Sequence, residues 1–429
     1  MNNKVFLEKL EKFSSNHPRV IDLSLDRMDR LLLKLDNPHL KLPPVIHVAG
    51  TNGKGSTIAF LSKSLIDARK TIHVYTSPHL IDITERFIIA NNRISYKKLF
   101  ETLDYCIEVN DGEPITQFEL LTCIAFILMS KSKADVVIIE TGLGGRLDAT
   151  NVVRNPLINI ITSISIDHTD FLGGTLELIA REKAGIIKNN TLCISASQNP
   201  LVEKIIINKC AEKNSELILC NEITFFNKIK DGFEIKGLNN NLYTFPSPSL
   251  KGQHQIINAV LAATALISCP ELGVTIKYIT SGLTSTKWQG RLEKINKGNI
   301  QKHIPASSEA WVDGGHNIAG AQIIKKWAKD KKINNIILVC GFLKNKDVNK
   351  ILFILKDSIN YIVFVPLQGT KNSYSPNELM NIAKNLNIKF YCKSSLKEAL
   401  YSKLTLPNSK ILIFGSLYLA GEALSLDKI

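Results

Sequence analysis

The segment at residues 47–57, HVAGTNGKGST, combines three patterns that together predict how the surrounding chain folds. An apolar run leads into a glycine-rich turn and an amphipathic stretch follows, as in a strand, a loop and a helix. Glycines let such a loop bend so that backbone N–H groups converge on phosphate oxygens, and the helix N-terminus adds partial positive charge. Lys54 would supply a mobile full charge, and Ser56 and Thr57 would supply hydroxyls. The segment therefore predicts a loop that binds nucleotide phosphates.

The spacing of this loop differs from the strict GxxxxGK[ST] pattern, because Gly55 separates Lys54 from Ser56. It is the spacing of a distinct phosphate-loop variant. An incidental glycine-rich turn is the competing interpretation. The strand predicted before the loop and the helix predicted after it favour phosphate binding.

The apolar run at residues 136–140 ends in Glu140 and is followed by the glycine-rich sequence TGLGGRLDATN. A carboxylate at the carboxyl end of a parallel strand lies at the sheet edge where ligands bind. Beside a phosphate loop, such a carboxylate would hold Mg²⁺, which prefers oxygen ligands. A helix N-cap or a surface acid is the alternative.

A third candidate region is SIDHTDFLGGTLELIAREKAGIIK, at residues 165–188. Asp167 and His168 follow an apolar strand, and Lys183 lies on a helix predicted to end at Gly185. On their own these residues carry little weight, because a lone His is more often structural and a lone Lys is usually a solvated charge.

Apolar runs alternate with amphipathic stretches along almost the whole chain, which predicts an α/β protein with mostly parallel sheets. Strands are predicted at residues 45–49, 72–75, 136–140, 157–162, 336–340, 361–365 and 411–414. After an amphipathic N-terminal helix, further helices are predicted at residues 56–68, 119–131, 255–267, 348–355 and 376–386. A polar, glycine-containing break at residues 287–301 predicts a domain boundary, with domains at 1–289 and 290–429.

The composition of the 429-residue chain, 45% hydrophobic and 21% charged, is ordinary for a globular protein. Its longest apolar runs are about half of the ~20 residues that a membrane-spanning helix needs, and the N-terminus lacks the apolar stretch of a signal peptide. The eight cysteines form no zinc-binding pattern, and we expect buried thiols in a reducing cytoplasm. The formal charge of +14 comes from dispersed lysines in a chain rich in Lys, Ile and Asn, and we interpret it as a matter of composition, with steering of anionic substrates as an added effect. A polyanion partner, either nucleic acid or a substrate rich in phosphate and carboxylate, is the alternative.

Twelve short strings follow one another along the chain: IDLSLDR from Ile21, HVAGTNGKGS from His47, TSPHL from Thr76, ERF from Glu85, TQFE from Thr116, ETGLGGRLDATN from Glu140, DH from Asp167, EKAGIIK from Glu182, GQHQIINA from Gly252, GRLE from Gly290, DGGHN from Asp313 and FGSLYLAGE from Phe414. In this combination the chain resembles the folylpolyglutamate synthase family of the Mur-ligase-like superfamily. The resemblance implies a three-layer P-loop ATPase domain with a parallel-rich central sheet and a smaller Rossmann-like α/β domain, with catalysis in the cleft between them. One string departs from the family, because DGAHNP reads DGGHNI at residues 313–318 and lacks a proline's rigidity.

The resemblance also implies roles for particular residues. Contacts to ATP fall on Gly53, Lys54, Gly55, Ser56, Asn258, Arg291 and Asp313. Ser77 and Glu140 would hold one Mg²⁺, and His168 would help to hold a second. The implied catalytic residues are Lys54, Lys183 as a carbamylated lysine (N-carboxylysine), and His316 in a polar role. Contacts to the pterin substrate fall on Ile21, Asp22, Leu23, Thr116, Gln117 and Leu147.

The reaction implied is ATP-dependent ligation of L-glutamate to dihydropteroate and to reduced folates, through an acyl phosphate. A cytoplasmic monomer is implied, with no nucleic-acid or membrane partner. The alternatives are a monofunctional folylpolyglutamate synthase, another Mur-type ligase and a nucleic-acid-binding ATPase. The last is disfavoured, because the sequence shows no aromatic-and-basic stacking motif. For the pterin contacts, Ile21 and Leu23 could instead be core residues of an N-terminal helix that Asp22 caps.

Overall fold

The chain divides into two compact units in its computed structural model. One unit comprises Met1–Ser249 and Gln255–Thr286, and the other comprises Leu250–His254 and Lys287–Ile429. This division does not test the predicted domain boundary after residue 289, which stays a prediction. The structure describes residues 2–14, 23–221, 225–236, 241–296, 298–370, 372–402 and 408–428.

An eight-stranded sheet forms the centre of the first unit. Its strands are β1 (Val45–Ala49), β2 (Ile72–Tyr75), β3 (Phe87–Ile89), β4 (Asn92–Arg93), β5 (Val136–Glu140), β6 (Ile158–Ile161), β7 (Leu192–Ala196) and β8 (Glu216–Cys220). In space they run β4–β3–β2–β5–β1–β6–β7–β8, parallel from β2 to β8 and antiparallel at the β3–β4 edge. A separate antiparallel sheet contains β9 (Phe226–Ile229), β10 (Gly232–Lys236) and β11 (Leu242–Pro246).

Helices connect these strands. Those described up to residue 286 are α1 (Asn3–Ser14), α2 (Asp26–Lys34), α3 (Lys54–Asp67), α4 (Tyr96–Asn110), α5 (Gln117–Ser130), α6 (Thr169–Leu172), α7 (Leu176–Ala184), α8 (Pro200–Glu212), α9 (His254–Ile267) and α10 (Ile276–Ser285). In α1, Phe6 and Leu10 are buried, which confirms the amphipathic N-terminal helix. No helix in the described ranges is long and apolar enough to cross a membrane.

The second unit has a six-stranded sheet with the spatial order β12–β13–β17–β14–β15–β16. Its strands are β12 (Glu293–Ile295), β13 (Glu309–Val312), β14 (Ile336–Cys340), β15 (Ile359–Phe364), β16 (Phe390–Cys392) and β17 (Lys410–Phe414), and every pair except β12–β13 is parallel. Its helices are α11 (Asn299–His303), α12 (Ile318–Asp330), α13 (Val348–Leu355), α14 (Pro376–Asn385), α15 (Leu396–Tyr401) and α16 (Leu417–Lys428). The predicted α/β class with parallel-rich sheets is confirmed.

The central strands are where the sequence predicted them. All five residues of β1 and of β5 are buried, because helices cover both faces of a parallel sheet and each strand is an uninterrupted apolar run. The predicted bounds of β1, β2, β5 and β14 agree with the structure residue for residue.

Two helices begin two residues earlier than periodicity predicted. Helix α3 begins at Lys54, two residues early, and its N-cap is Gly53 in a left-handed conformation with φ of 96°. Helix α5 also begins two residues early, because the Thr116 hydroxyl accepts from the Glu119 amide and the Glu119 carboxylate accepts from the Thr116 amide. Capping residues lie outside the apolar pattern, so periodicity alone places a helix start too late.

Seven of the eight cysteines are buried, and Cys392 is exposed. Burial raises the pKa of the Cys106 thiol to about 12. A thiol with so high a pKa stays neutral and unreactive. The expectation of buried thiols is confirmed for these seven.

A buried ion pair joins α2 to α5, with Arg27 Nη2 2.9 Å from Glu119 Oε1 and side-chain exposures of 12% and 7%. Arg27 Nε also lies 3.1 Å from each oxygen of the same carboxylate. The substitution Arg27→Met would leave Glu119 buried and uncompensated, so we expect the free energy of unfolding to fall by about 3 kcal/mol. Urea denaturation followed by circular dichroism measures this change.

The matched control is Arg181→Met, which removes an exposed ion pair with Glu177 at 2.8 Å. Exposed pairs contribute little, so this variant should stay within about 0.5 kcal/mol of the wild type. Equal losses in the two variants would show that burial does not set the strength of the Arg27 pair.

Candidate active site

The phosphate loop lies between β1 and α3, and its geometry requires glycine. A Cβ added at Gly53 would lie 2.3 Å from Asn258 Oδ1, and the φ of 96° is one that other residues rarely adopt. Asn258 in turn donates to Gln255 Oε1 at 2.9 Å, and Gln255 Nε2 donates to Ser56 Oγ at 3.3 Å. Helix α9 thus holds the loop through two side chains. Asn258 was predicted from the resemblance, whereas Gln255 was missed although it lies in the same GQHQIINA string.

The loop is also fixed to the chain that follows β6. The amides of Thr51 and Asn52 both donate to the Ser163 carbonyl, at 2.9 and 3.1 Å. The Thr51 hydroxyl donates to the Ser165 carbonyl at 3.0 Å, and Asn52 Nδ2 donates to the Ser165 hydroxyl at 3.2 Å. These contacts hold the loop in one shape before any nucleotide binds.

Two lysines converge on one carbonyl oxygen. Lys54 Nζ donates to the Gly50 carbonyl at 3.1 Å, and Lys183 Nζ donates to the same oxygen at 2.9 Å. Lys54 Nζ also lies 3.8 Å from Glu140 Oε1. The structure therefore brings together three of the predicted site residues: Lys54, Lys183 and Glu140.

Lys183 is 5% exposed and has an unusually acidic ammonium group. Burial, assisted by the positive charge of Lys54, lowers the pKa of Lys183 to about 7, although Asp167, Asp148 and Glu182 act in the opposite direction. Near pH 7, about half of the Lys183 side chains would be neutral amines, against roughly one in a few thousand for an ordinary lysine. A neutral amine is a nucleophile, so Lys183 is poised for chemistry that an exposed lysine cannot perform.

The loop after β5 packs against the end of α7 and so places Lys183. A Cβ added at Gly145 would lie 2.6 Å from the Glu182 carbonyl oxygen and 3.0 Å from Lys183 Cα. The Arg146 amide donates to that carbonyl at 2.7 Å, and the Arg146 side chain pairs with the Glu182 carboxylate at 2.8 Å. Glycine at 145 allows the two backbones to meet. Periodicity could not reveal this contact, because it joins segments almost 40 residues apart.

Ser77 and Glu140 lie side by side and offer oxygen atoms of the kind that a hard metal ion binds. The Ser77 amide donates to Glu140 Oε2 at 3.2 Å. The Ser77 hydroxyl is buried and has no hydrogen-bond partner among the described residues. A buried carboxylate beside an unpaired hydroxyl fits Mg²⁺, which binds proteins through one or two carboxylates and takes its other ligands from water and phosphate. No cluster of three or more His, Cys, Asp or Glu side chains occurs in the described part of the chain, so a closed protein cage is absent there.

His168, predicted to help hold a second ion, is the N-cap of α6 and has a left-handed conformation with φ of 53°. Its amide donates to Asp167 Oδ1 at 2.9 Å, and Asp167 is buried. Asp167 also acts electrostatically on Lys183. The Asp167–His168 turn therefore belongs to the same region as the phosphate loop.

The predicted pterin contacts are only partly described. Ile21 and Asp22 lie outside the described residues. Leu23 is half-buried and packs against a hydrophobic cluster that includes Ala49 and Ile164. The remaining three are Thr116, which caps α5, Gln117, which is exposed, and Leu147, which is half-buried. Their contact with substrate stays a prediction.

The second unit gathers its predicted residues around the turn after β13. The Asp313 carboxylate accepts from the amides of Leu292 at 2.8 Å and Gly315 at 2.7 Å. Burial raises the pKa of Asp313, and the Arg291 charge opposes that rise. Arg291 Nη1 donates to the Gly290 carbonyl at 3.2 Å. His316 Nδ1 lies 2.9 Å from the Gly314 carbonyl oxygen, which can only accept, so Nδ1 carries a proton.

The DGGHNI departure leaves the following helix in place. Helix α12 begins at Ile318, where the family has proline, and Asn317 is its N-cap, accepting from the Gly320 amide at 2.9 Å. The cap fixes the helix start without the proline ring. A Cβ at Gly315 would lie 2.7 Å from both Asp313 Oδ1 and Phe414 Cε2, so the glycine fits a tight turn.

Comparison with known proteins gives matches over almost the whole chain. Residues 48–266 match the model of the Mur ligase middle domain, and residues 296–426 match the model of the dihydrofolate synthetase C-terminal domain. A "Probable dihydrofolate synthetase" of Schizosaccharomyces pombe is 33% identical over 94% of this chain and 97% of its own. A "Dihydrofolate synthase/folylpolyglutamate synthase" of Haemophilus influenzae is 32% identical over 97% of this chain and 96% of its own.

A solved structure described as E. coli FolC in complex with DHPP and ADP is similar throughout. Its TM-score is 0.86 at 27% sequence identity, and the similarity covers 98% of this chain and 97% of that one. The chain therefore belongs to the dihydrofolate synthase and folylpolyglutamate synthase family of the Mur ligases.

Proposed function

We propose that this protein joins L-glutamate to dihydropteroate and to reduced folates, with ATP as co-substrate. The relatives that span nearly the full chain carry these activities in their names. The observation that carries the proposal is the meeting of Lys54, Lys183 and Glu140 at the phosphate loop. We also propose that the protein is a cytoplasmic monomer.

The reaction needs an activated acid, because a free carboxylate has no adequate leaving group when an amine attacks it. An oxygen of the acceptor carboxylate would attack the γ-phosphorus of ATP, and ADP would leave with the electron pair of the broken P–O bond. The amine of glutamate would then attack the carbonyl carbon of the acyl phosphate, lose a proton and expel inorganic phosphate. Such catalysis consists mainly of positioning and charge neutralisation.

The phosphate oxygens of ATP would bind at the first turn of α3. The N–H groups there have no partner within the helix, and Lys54 is the first residue of that turn. Gly53, Gly55 and Ser56 provide that turn, and Asn258 adjoins it. From the second unit, the proposed residues are Arg291 and Asp313 as nucleotide contacts and His316 as a polar catalytic residue.

Ser77 and Glu140 would hold one Mg²⁺, and His168 would help to hold a second. When bound, Mg²⁺ would offset the repulsion between the γ-phosphate and the acceptor carboxylate. The unpaired Ser77 hydroxyl and the buried Glu140 carboxylate support this assignment.

Lys183 would be carbamylated. Its neutral amine would add to CO₂, forming an N–C bond and releasing one proton. The pKa of about 7 supplies the neutral amine without any external base. The carbamate would be an anion, and the neighbouring Lys54 would pair with it.

The acceptor would be bound by Ile21, Asp22, Leu23, Thr116, Gln117 and Leu147. A second candidate function is a single-acceptor enzyme, which the name of the S. pombe relative favours. Both reactions attach glutamate to a carboxylate far from a pterin ring, so the ATP and glutamate sites can serve either acceptor.

We expect ATP turnover to require glutamate together with an acceptor, because phosphate leaves only after the acyl phosphate forms. Phosphate release should be measured with dihydropteroate plus glutamate and with tetrahydrofolate plus glutamate, each against reactions that omit one substrate. Activity with both acceptors is the expected result. Turnover with one acceptor would establish the single-acceptor enzyme, and an equal rate without any acceptor would contradict the ligase proposal.

The substitution Glu140→Gln should reduce turnover about 100-fold or more, the scale of losing one electrostatic stabiliser of a transition state. A neutral amide is a poor Mg²⁺ ligand, so the Mg²⁺ concentration for half-maximal rate should rise. Glu177→Gln is the control, because Glu177 is an exposed acid on α7. Normal turnover of Glu140→Gln at saturating Mg²⁺ would make Glu140 a structural residue.

The carbamate on Lys183 should be visible by ¹³C NMR after equilibration with ¹³CO₂. The amine is protonated below its pKa of about 7 and neutral above it, so the signal at fixed CO₂ should grow between pH 6 and pH 8. Lys183→Ala should lose the signal and most activity, and small carboxylates such as formate should restore part of the rate.

Arg181→Ala, an exposed cation on the same helix, should keep both the signal and the activity. Wild-type rates in Lys183→Ala would contradict the carbamate proposal.

A further inference from the structure

The side chain of Asn3, the first residue of α1, bonds to two backbone groups far along the chain. Asn3 Nδ2 donates to the Ile81 carbonyl at 3.2 Å. Asn3 Oδ1 accepts from the Ile83 amide at 3.0 Å. One side-chain amide therefore holds the backbone on both sides of Asp82, as a paired strand would.

The segment that Asn3 holds begins at the proposed metal ligand Ser77. A hydrogen bond joins the two ends of the segment, where the Thr76 amide donates to the Arg86 carbonyl at 3.1 Å. Inside, the Glu85 carboxylate accepts from the amides of Leu80 at 2.7 Å and Asp82 at 3.0 Å. The segment is thus a loop closed by its own hydrogen bonds, through which a shift at its far end would reach Ser77.

Two further groups brace the same loop from the other side. Arg93 Nη2 lies 2.7 Å from Asp82 Oδ1, and the Tyr96 hydroxyl donates to Asp82 Oδ2. These contacts hold the Asp82 side chain, whereas Asn3 holds the main chain. Asn3 adds the direct link between α1 and the loop backbone.

Helix α1 is anchored independently of this loop. Phe6 is buried and packs edge-to-face on Phe100, with ring centroids 5.2 Å apart. Lys9 pairs with Asp104 on α4. Because α1 is fixed to α4 in this way, it presents Asn3 to the loop from a defined position.

Asn3 is not needed to cap its own helix. Asn2 has that role, since its Oδ1 accepts from the Val5 amide at 3.1 Å. The Asn3 amide is therefore free of a local structural task, and both of its hydrogen-bonding ends go to the loop. The two hydrogen bonds of the Asn3 side chain are only partly buried, so water can replace them at a modest cost in stability. Their main effect is therefore to set the position of the loop backbone.

We propose that Asn3 is a positioning residue that sets Ser77 against Glu140, and so determines how tightly the site binds Mg²⁺ with nucleotide. The inference rests on the proposed Mg²⁺ ligands Ser77 and Glu140. Asn3 touches neither substrate nor metal, and it acts through the loop at residues 77–86. The link from Ser77 to Glu140 is the 3.2 Å hydrogen bond from the Ser77 amide.

The test measures binding of ADP by calorimetry as a function of Mg²⁺ concentration, with no acceptor or glutamate present. For Asn3→Ala we expect the Mg²⁺ concentration for half-maximal ADP binding to rise by about fivefold or more, the lower range of coupling between linked sites. Hydrogen exchange at the Ile83 amide, which donates to Asn3 Oδ1, should also quicken. Asn3→Asp keeps the acceptor and loses the donor, so it should fall between wild type and Asn3→Ala.

Asn2→Ala is the matched control, because it removes the cap of the same helix and leaves the loop contact in place. It should lower the melting temperature without changing the Mg²⁺ dependence. An equal change in the two variants, or a lower melting temperature of Asn3→Ala with unchanged Mg²⁺ dependence, would make Asn3 merely structural.

The failure of this inference is distinguishable from failure of the proposed function. A wild-type protein that binds ADP with Mg²⁺ but ligates no glutamate would contradict the function, and the Asn3 comparison could still support the positioning role. An active wild type with a Mg²⁺ dependence identical to that of Asn3→Ala would overturn the positioning role alone.

Discussion

The Gly50 carbonyl oxygen, which accepts from both Lys54 and Lys183, imposes the constraint on which the site depends. Two ammonium groups at one acceptor repel each other, and burial of Lys183 strengthens that repulsion. The structure relieves it by lowering the pKa of Lys183 and by placing Glu140 3.8 Å from Lys54. The sheet order makes this meeting possible. Strands β5, β1 and β6 are neighbours, so their carboxyl ends bring Glu140, the phosphate loop and Ser163 to one edge.

Close backbone approach then determines which residues can occupy that edge. At Gly53 the side chain of Asn258 takes the space that a Cβ would need, and at Gly145 the end of α7 does so. A methyl group at Gly145 would push α7 away and withdraw Lys183 from Gly50. The glycines of these loops therefore act as spacers that hold charged side chains at hydrogen-bonding distance, in addition to allowing the turns themselves.

The sequence predicted the strands well, because β1 and β5 are uninterrupted apolar runs bounded by polar turns. Glu140 at a strand end and the phosphate loop followed from the same local patterns. Lys183 did not follow from a local pattern, because a lone lysine on an amphipathic helix is usually solvated. Its burial comes from contacts with segments that are distant in sequence. Asn3 could not be found for the same reason, as 78 residues separate it from its partner. Hydrophobic periodicity predicts which face of a helix or strand is buried. It does not predict polar contacts between segments that are distant in sequence.

The two proposed substrate regions of the first unit differ in how much of each consists of buried core. The ATP region uses the ends of buried central strands, where a substitution disturbs the core, so the chemistry of phosphate activation is tied to stability. The described part of the proposed acceptor region includes Leu23, Thr116 and Leu147, which are half-buried and lie at a helix start or in loops. Changes there cost little packing energy and can alter which acid fits. Relatives of nearly equal identity are named for one activity or for both. Substitutions in the proposed acceptor region would change which acid fits while Lys54, Glu140 and the phosphate loop keep their positions.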